Sequence, residues 1–254
     1  MDDVTRTQIA HDEIAPRRAR VGMIIPSVNR MSEPQFNHYA PPGLRIHVAR
    51  GRIAGPVKVK PEELSGEIER CAMTLKDCGP DLIVFHCTAT AMSEGPAGEA
   101  RILDLIRNTT GIAPASTSDL VVEALRAVGL KSLVILSPYA NNDDIIPYLT
   151  AQGFTVVHDK ALQCPSAAAF EEITPREWVD LAVAHDRPEA DGIFLSCTNT
   201  RQIEAIGEIE RRLGKPVVNS NQAVLWGCVK RLRKALGDPA PMPELGRLMQ
   251  RLEG

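Results

Sequence analysis

Aromatic side chains are scarce in this sequence: they make up 4% of its 254 residues, and Trp178 and Trp226 are the two tryptophans. A surface that stacks bases or sugar rings needs more of them. An excess of positive charge is also missing, with 29 Lys and Arg against 32 Asp and Glu and a net charge of −3, so nucleic acid and anionic membranes are not expected partners. No apolar run approaches the roughly 20 residues that span a bilayer. Residues 1–19 are polar and lack the apolar stretch of a secretory signal, which reads as a flexible tail and a cytoplasmic protein. The six cysteines, Cys71, Cys78, Cys87, Cys164, Cys197 and Cys228, are then expected as free thiols. No CxxC motif or Cys/His pair has metal-ligand spacing, so no metal is expected.

What is present is an alternation. Short apolar runs predict strands at Val21–Ile25, Leu44–Val48, Asp81–Phe85, Ile112–Ala115, Ser132–Leu136, Phe154–Val157, Gly192–Ser196 and Pro216–Val218. Amphipathic helices lie between them. Glu63–Asp77 aligns Leu64, Ile68, Cys71, Ala72 and Leu75 on one face, and Arg201–Leu213 aligns Ile203, Ile206 and Ile209. Such alternation predicts an α/β fold with parallel sheets.

The chain also repeats itself. Pro26-Ser27-Val28-Asn29 is matched by Pro138-Tyr139-Ala140-Asn141, and His86-Cys87-Thr88-Ala89-Thr90 by Ser196-Cys197-Thr198-Asn199-Thr200. Pro26 to Cys87 is 61 residues and Pro138 to Cys197 is 59. A third matched pair, Ser116-Thr117-Ser118 and Asn219-Ser220-Asn221, opens a helix in each half. The chain is therefore read as a duplicated lobe: residues 20–117, joined by a C-terminal helix at about 221–254, form lobe 1, and 118–220 form lobe 2.

All three motif pairs fall on loops leaving the carboxyl ends of strands, where α/β folds bind ligands. If the lobes face each other there, Cys87 and Cys197 enter one cleft. A helix N-terminus behind each thiol would favour the thiolate. Ser27, Asn29, Thr88, Ala89, Thr90, Tyr139, Thr198 and Asn199 would supply hydroxyls, amides and backbone N–H groups to a small carboxylic acid without a cationic side chain. Two opposed thiols permit proton exchange beside a carboxylate, or thiolate addition to an activated double bond followed by rotation and expulsion.

A lone strand-end cysteine is most often core. The matched placement of these two sets them apart, whereas Cys71, Cys78, Cys164 and Cys228 read as packing residues. His86 is expected beneath the helix layer, since neighbouring strand residues face opposite sides. Asp81 and Asp191 lie at the wrong end of the strands. Arg30 and Arg201 suit anion attraction and exposed helix surface equally well. Thr117, Ser118, Ser220 and Asn221 are accounted for as helix caps.

At these motifs the sequence resembles the maleate cis-trans isomerases, which belong with the arylmalonate decarboxylases to the aspartate/glutamate racemase superfamily. The resemblance runs from Arg20 to about Leu236. It implies two Rossmann-like lobes related by a pseudo-twofold axis, each with a four-stranded parallel sheet, no cofactor, and a homodimer or larger homo-oligomer. It assigns Cys87 as the attacking thiolate and Cys197 as the acid/base, with Asn29 and Tyr139 on the substrate carboxylates. The decarboxylases keep only the second cysteine. In one respect the sequence departs from the isomerases: they place an asparagine in the loop after the second strand of lobe 2, where this chain reads Leu162-Gln163-Cys164-Pro165-Ser166.

The expected activity is therefore a cofactor-free isomerisation of a small carboxylic acid, maleate to fumarate first. A two-base racemase of an amino acid, related carboxylate or hydantoin is the alternative. A two-lobed binding module would not need matched cysteines, and a redox regulator would crosslink Cys87 to Cys197. The loops Arg50–Lys60 and Asp159–Ile173 are expected to flank the cleft.

Overall fold

The computed structural model describes residues 17–53, 61–238 and 242–252. Most of the tail predicted at 1–19, and residues 54–60 of the first cleft loop, lie outside them. Eight strands form two parallel four-stranded sheets. In the first, β1 (Ala19–Pro26), β2 (Leu44–Gly51), β3 (Leu82–Phe85) and β4 (Pro114–Ser116) are ordered β2-β1-β3-β4. In the second, β5 (Ser132–Ser137), β6 (Thr155–Ala161), β7 (Gly192–Leu195) and β8 (Val217–Asn219) are ordered β6-β5-β7-β8. Parallel neighbours require crossover helices, and the chain supplies them between strands.

The same order in both sheets is the duplication read from the sequence. All eight strands occur where the apolar runs lie. β2 and β6 run on by three or four residues, to Gly51 and Ala161, because both are edge strands whose polar outer residues mask the apolar signal.

Side-chain alternation sorts the first sheet into two faces. Val21, Met23, Ile25, Leu82 and Val84 join a core that continues into the second lobe. Ile24, Ile83 and Phe85 point the other way, onto Ile68, Cys71 and Leu75 of helix α2 (Pro61–Lys76). The helix between β1 and β2 is α1 (Ser32–Tyr39). After β3 come α3 (Thr88–Ser93) and α4 (Gly95–Thr110), and after β4 comes α5 (Thr117–Ala127).

The second half contains α6 (Ile145–Ala151), α7 (Ala167–Glu172), α8 (Pro175–His185), α9 (Ile206–Leu213) and α10 (Ser220–Leu236). The helix predicted over 201–213 begins as a 3-10 turn at Gln202–Ala205, after bends at 198–200. Here the loop after Cys197 is held open by contacts to the other lobe, described below, so the α-helix starts later than it does behind Cys87.

The N-terminus of α10 carries a capping box, in which the Asn219 side chain accepts the Gln222 N–H and the Gln222 side chain accepts the Asn219 N–H. The equivalent cap of α5 is Ser116, whose hydroxyl accepts from the Asp119 N–H. The caps are thus one residue earlier than expected, which frees Thr117, Ser118, Ser220 and Asn221 for other bonds. At the far end of the sheets Asp81 accepts the Arg20 N–H at 2.7 Å, and Asp191 accepts the Ser132 N–H at 2.8 Å. These aspartates tie strand starts together in both halves.

Candidate active site

Cys87 follows β3 and Cys197 follows β7, each leaving the carboxyl end of a central strand. Cys87 is itself the N-cap of α3. Its thiol donates to the Thr90 hydroxyl at 3.2 Å, and the Ala89 and Thr90 N–H groups point at its sulfur. Cys197 is held in a matching cradle: the Asn199 N–H donates to its sulfur at 3.3 Å and the Thr198 N–H adds a second bond. Its φ is +157°, a value that L-residues adopt at a cost and that occurs where a loop is constrained from both sides.

The two thiols are close enough that a charge on Cys87 disfavours a charge on Cys197. Tyr139, on the loop after β5, completes the group. Its phenol reaches Cys197 and lies within the field of both sulfurs. Its ring packs edge-to-face on Phe170, 5.9 Å between centroids. The two cysteines and Tyr139 therefore stand within reach of one another's charge.

Burial overrules the helix termini in setting the thiol pKa values. Cys87 is 9% exposed and Cys197 4%. Removal from water pushes the Cys87 thiol above its ordinary value despite the bonds from Thr90 and Ala89. It pushes Cys197 up to about 12, with the Tyr139 bond and the Asn199 N–H working against the shift. The expectation of depressed thiols is corrected: burial raises both above their ordinary value. Tyr139 is raised well above the phenol range by burial and by the neighbouring sulfurs.

The remaining candidates divide by accessibility. Ser27 is exposed, and Ala89, Thr90 and Tyr139 are half-buried, so all four can meet a ligand. Asn29 is 1% exposed, and both ends of its amide bind protein: Nδ2 donates to the Thr198 hydroxyl at 3.0 Å, and Oδ1 accepts the Ser32 N–H at 2.9 Å. It ties the lobes rather than presenting a free amide. Thr88 donates to the Ser220 hydroxyl at 2.9 Å. Asn199 accepts the Arg30 N–H at 2.8 Å and donates to the Ala167 carbonyl at 2.8 Å.

That last bond brings the crossover after β6 over the site. Its backbone runs beside the Tyr139 loop, with the Gln163 N–H donating to the Tyr139 carbonyl at 2.8 Å and Gln163 itself in the left-handed region at φ 56°. Arg30 pairs with Glu171 of α7 at 2.6 Å, and Arg201 pairs with Glu204 on its own turn. A cavity of about 720 Å³ opens here, lined by Ser27, Val28, Asn29, Arg30, Arg50 and Ser166–Ala168; neither cysteine lines it. Arg50 holds this mouth in shape by donating to the Asn29 carbonyl at 2.6 Å.

Of the other cysteines, Cys71 and Cys228 are buried as expected, and Cys164 is half-buried. Cys78 is exposed, contrary to the expectation that it packs, because it lies in the turn that ends α2. His86, expected only to pack beneath the helix layer, and Thr117, Ser220 and Asn221, expected only as helix caps, are buried and hydrogen-bonded to one another or to the thiol loops. The recurrence of a polar pair after the last strand of each half, Thr117-Ser118 and Ser220-Asn221, was the available signal. Among the described residues no cluster of three or more His, Cys, Asp or Glu suits a metal, and no helix is long and apolar enough to cross a membrane.

The model of the arylmalonate decarboxylase family matches residues 22–248. The chain belongs to that family. It is 25% identical over 246 residues to a maleate isomerase of Geobacillus stearothermophilus, covering 91% of this chain and 96% of the relative. It is 29% identical over 238 residues to an arylmalonate decarboxylase of Bordetella bronchiseptica, covering 90% and 95%. Among solved structures, a Nocardia farcinica maleate cis-trans isomerase mutant with a covalently bound succinylcysteine intermediate superposes with a TM-score of 0.81 at 22% identity, over 92% of this chain and 98% of that one. That likeness establishes the shared fold. The curated relatives are enzymes acting on small carboxylic acids, so this family member is an enzyme.

Proposed function

We propose that the protein is a cofactor-independent cis–trans isomerase of a small dicarboxylic acid, converting maleate to fumarate through Cys87 and Cys197. The observation that carries this reading is the pair of thiols near enough to feel each other's charge, each cradled by backbone N–H groups, with the Tyr139 phenol against one of them. The decarboxylase reading has less support, since the resemblance gives decarboxylases the second cysteine alone and this chain has both.

In the proposed cycle the Cys87 sulfur, as thiolate, bonds to one alkene carbon. The π pair moves to the other carbon, which takes the proton of the Cys197 thiol. The former double bond, now single, rotates. The Cys197 thiolate removes a proton, the trans double bond re-forms, and the C–S electrons return to Cys87. N–H groups of the Thr88–Thr90 and Thr198–Asn199 loops offset charge on the carboxylate flanking the carbanionic carbon. Tyr139 donates to Cys197 and steadies its thiolate. The exposed Ser27 hydroxyl and the half-buried Thr90 hydroxyl would hold the acid, and the Gln163–Ser166 stretch takes the place of the isomerases' asparagine.

Proton exchange by the same two thiols, giving a racemase, is the second reading, favoured by the mutual field of the two sulfurs, which disfavours a second charge and so sets one thiolate opposite one thiol. Incubation with maleate in heavy water, followed by proton NMR, separates the two. Fumarate formation without added cofactor supports the isomerase. An inert maleate together with deuterium entering the α-position of an amino acid or hydantoin would replace it with the racemase.

A further inference from the structure

Beneath the thiol loops lies a buried polar network that the proposed chemistry leaves unused. His86 is fully buried, with Nε2 2.9 Å from Asn221 Oδ1 and Nδ1 3.0 Å from Thr117 Oγ1. The Asn221 amide nitrogen donates to Gln35 Oε1 at 2.5 Å and to the Thr198 carbonyl at 3.1 Å. Its oxygen is therefore the acceptor facing His86, and His86 must donate from Nε2. Nδ1 then carries the lone pair and faces the Thr117 hydroxyl, whose one proton is shared between Nδ1 and the Phe85 carbonyl 3.3 Å away. Every polar atom of the His86 ring and of the Asn221 carboxamide has a partner. In a network so satisfied, removing a member leaves buried groups unpaired.

The connectivity has a consequence for the cleft. His86 is the residue before Cys87, and Thr198 is the residue after Cys197. One carboxamide thus grips both thiol loops, which leave two different sheets. Ser220, the neighbour of Asn221, makes the complementary clasp: it accepts the Thr88 hydroxyl at 2.9 Å and the Cys197 N–H at 3.3 Å. Phe36 packs edge-to-face on His86 at 5.4 Å and closes the network from α1.

We propose that His86 and Asn221 are positioning residues that fix the separation and orientation of Cys87 and Cys197 across the two lobes. This rests on the two-thiol reading of the site. A shift of about 1 Å between groups that must act on adjacent carbons is enough to cost roughly a hundredfold in rate.

Three variants test it. His86→Leu removes the ring's hydrogen bonds, His86→Gln restores a donor where Nε2 sits, and Asn221→Asp keeps the acceptor while removing both donors. Two quantities are read: kcat and KM on maleate, and the rates at which iodoacetamide alkylates Cys87 and Cys197, each measured by peptide mass spectrometry. His86→Leu and Asn221→Asp are expected to lower kcat roughly 10- to 100-fold with KM within about twofold, and to change the Cys87-to-Cys197 alkylation ratio by about threefold or more. His86→Gln is expected to recover most of both.

An alkylation ratio that stays at the wild-type value in the folded variants overturns the proposal. So does a loss of kcat that the glutamine fails to relieve. If wild-type protein turns over no maleate, the alkylation ratio alone decides: a changed ratio sustains the positioning role while the isomerase reading falls. Should His86→Leu not fold, Asn221→Asp against His86→Gln decides between the same two outcomes.

Discussion

The Asn29 amide donates to the Thr198 hydroxyl 3.0 Å away, so the first loop of one sheet is bonded directly to the cysteine loop of the other. The same amide oxygen accepts the N–H groups of Met31 and Ser32 and so starts α1. Asn29→Ala leaves buried partners unpaired in both lobes and is expected to cost about 2–4 kcal/mol of stability. Chemical denaturation checks this. A loss below about 1 kcal/mol would show that the tie between the lobes is dispensable.

Tyr139→Phe keeps the ring against Phe170 and removes only the donor to Cys197. The thiol, already pushed up to about 12, loses a bond that favours its thiolate. The expected result is a fall in kcat of about 100-fold with an unchanged melting temperature. An unchanged kcat would mean that Cys197 does not exchange a proton in the slow step.

Much of this was legible in the sequence, and the failures have physical causes. Short apolar runs located the eight strands because parallel strands buried on both faces leave unbroken apolar stretches, such as Leu133–Leu136, and the 3.6-residue period located helices near 63–77 and 201–213. The repeat located Cys87 and Cys197 because the same loop is used twice. What the motif could not convey was burial. Asn29 has the residue type of a ligand amide, yet its environment consumes both ends. Likewise Ser220 and Asn221 have the composition of caps, and only the fold shows that Asn219 caps and they bridge. The thiol pKa values were misjudged for the same reason, since desolvation depends on what the other lobe covers.

Stability should also depend on acid through His86, which burial lowers from 6.5 to about 3. Between those values the unfolded chain takes up a proton that the native state refuses. The native state therefore loses up to about 1.4 kcal/mol per pH unit as pH falls from 6.5 toward 3. Asp119 acts oppositely: burial raises it from 3.8 to about 6, so the native state gains a proton first and is supported between those values. Asp119 is present in wild type and in His86→Gln alike, so the difference between them isolates the histidine. Denaturant unfolding of both from about pH 7 to pH 4 is expected to show a shallower decline in the variant. Parallel declines would mean that His86 titrates normally in the fold.

Gly192 opens β7 where a Cβ would lie against the Pro216 carbonyl oxygen and 2.7 Å from Leu130. The obstruction is backbone of the neighbouring strand, which cannot swing aside. Gly192→Ala is expected to destabilise the protein by about 2–3 kcal/mol through forced separation of β7 and β8. A melting temperature equal to the wild type would show that the strands there are further apart than described.

Two thiols acting together are the centre of this account, and both can be removed one at a time. Wild type, Cys87→Ala and Cys197→Ala are incubated with maleate without added cofactor, and fumarate is followed by proton NMR. The account predicts fumarate from the wild type and a loss of at least about a thousandfold in each variant, with all three folded. Fumarate formed at the wild-type rate by either alanine variant would contradict it.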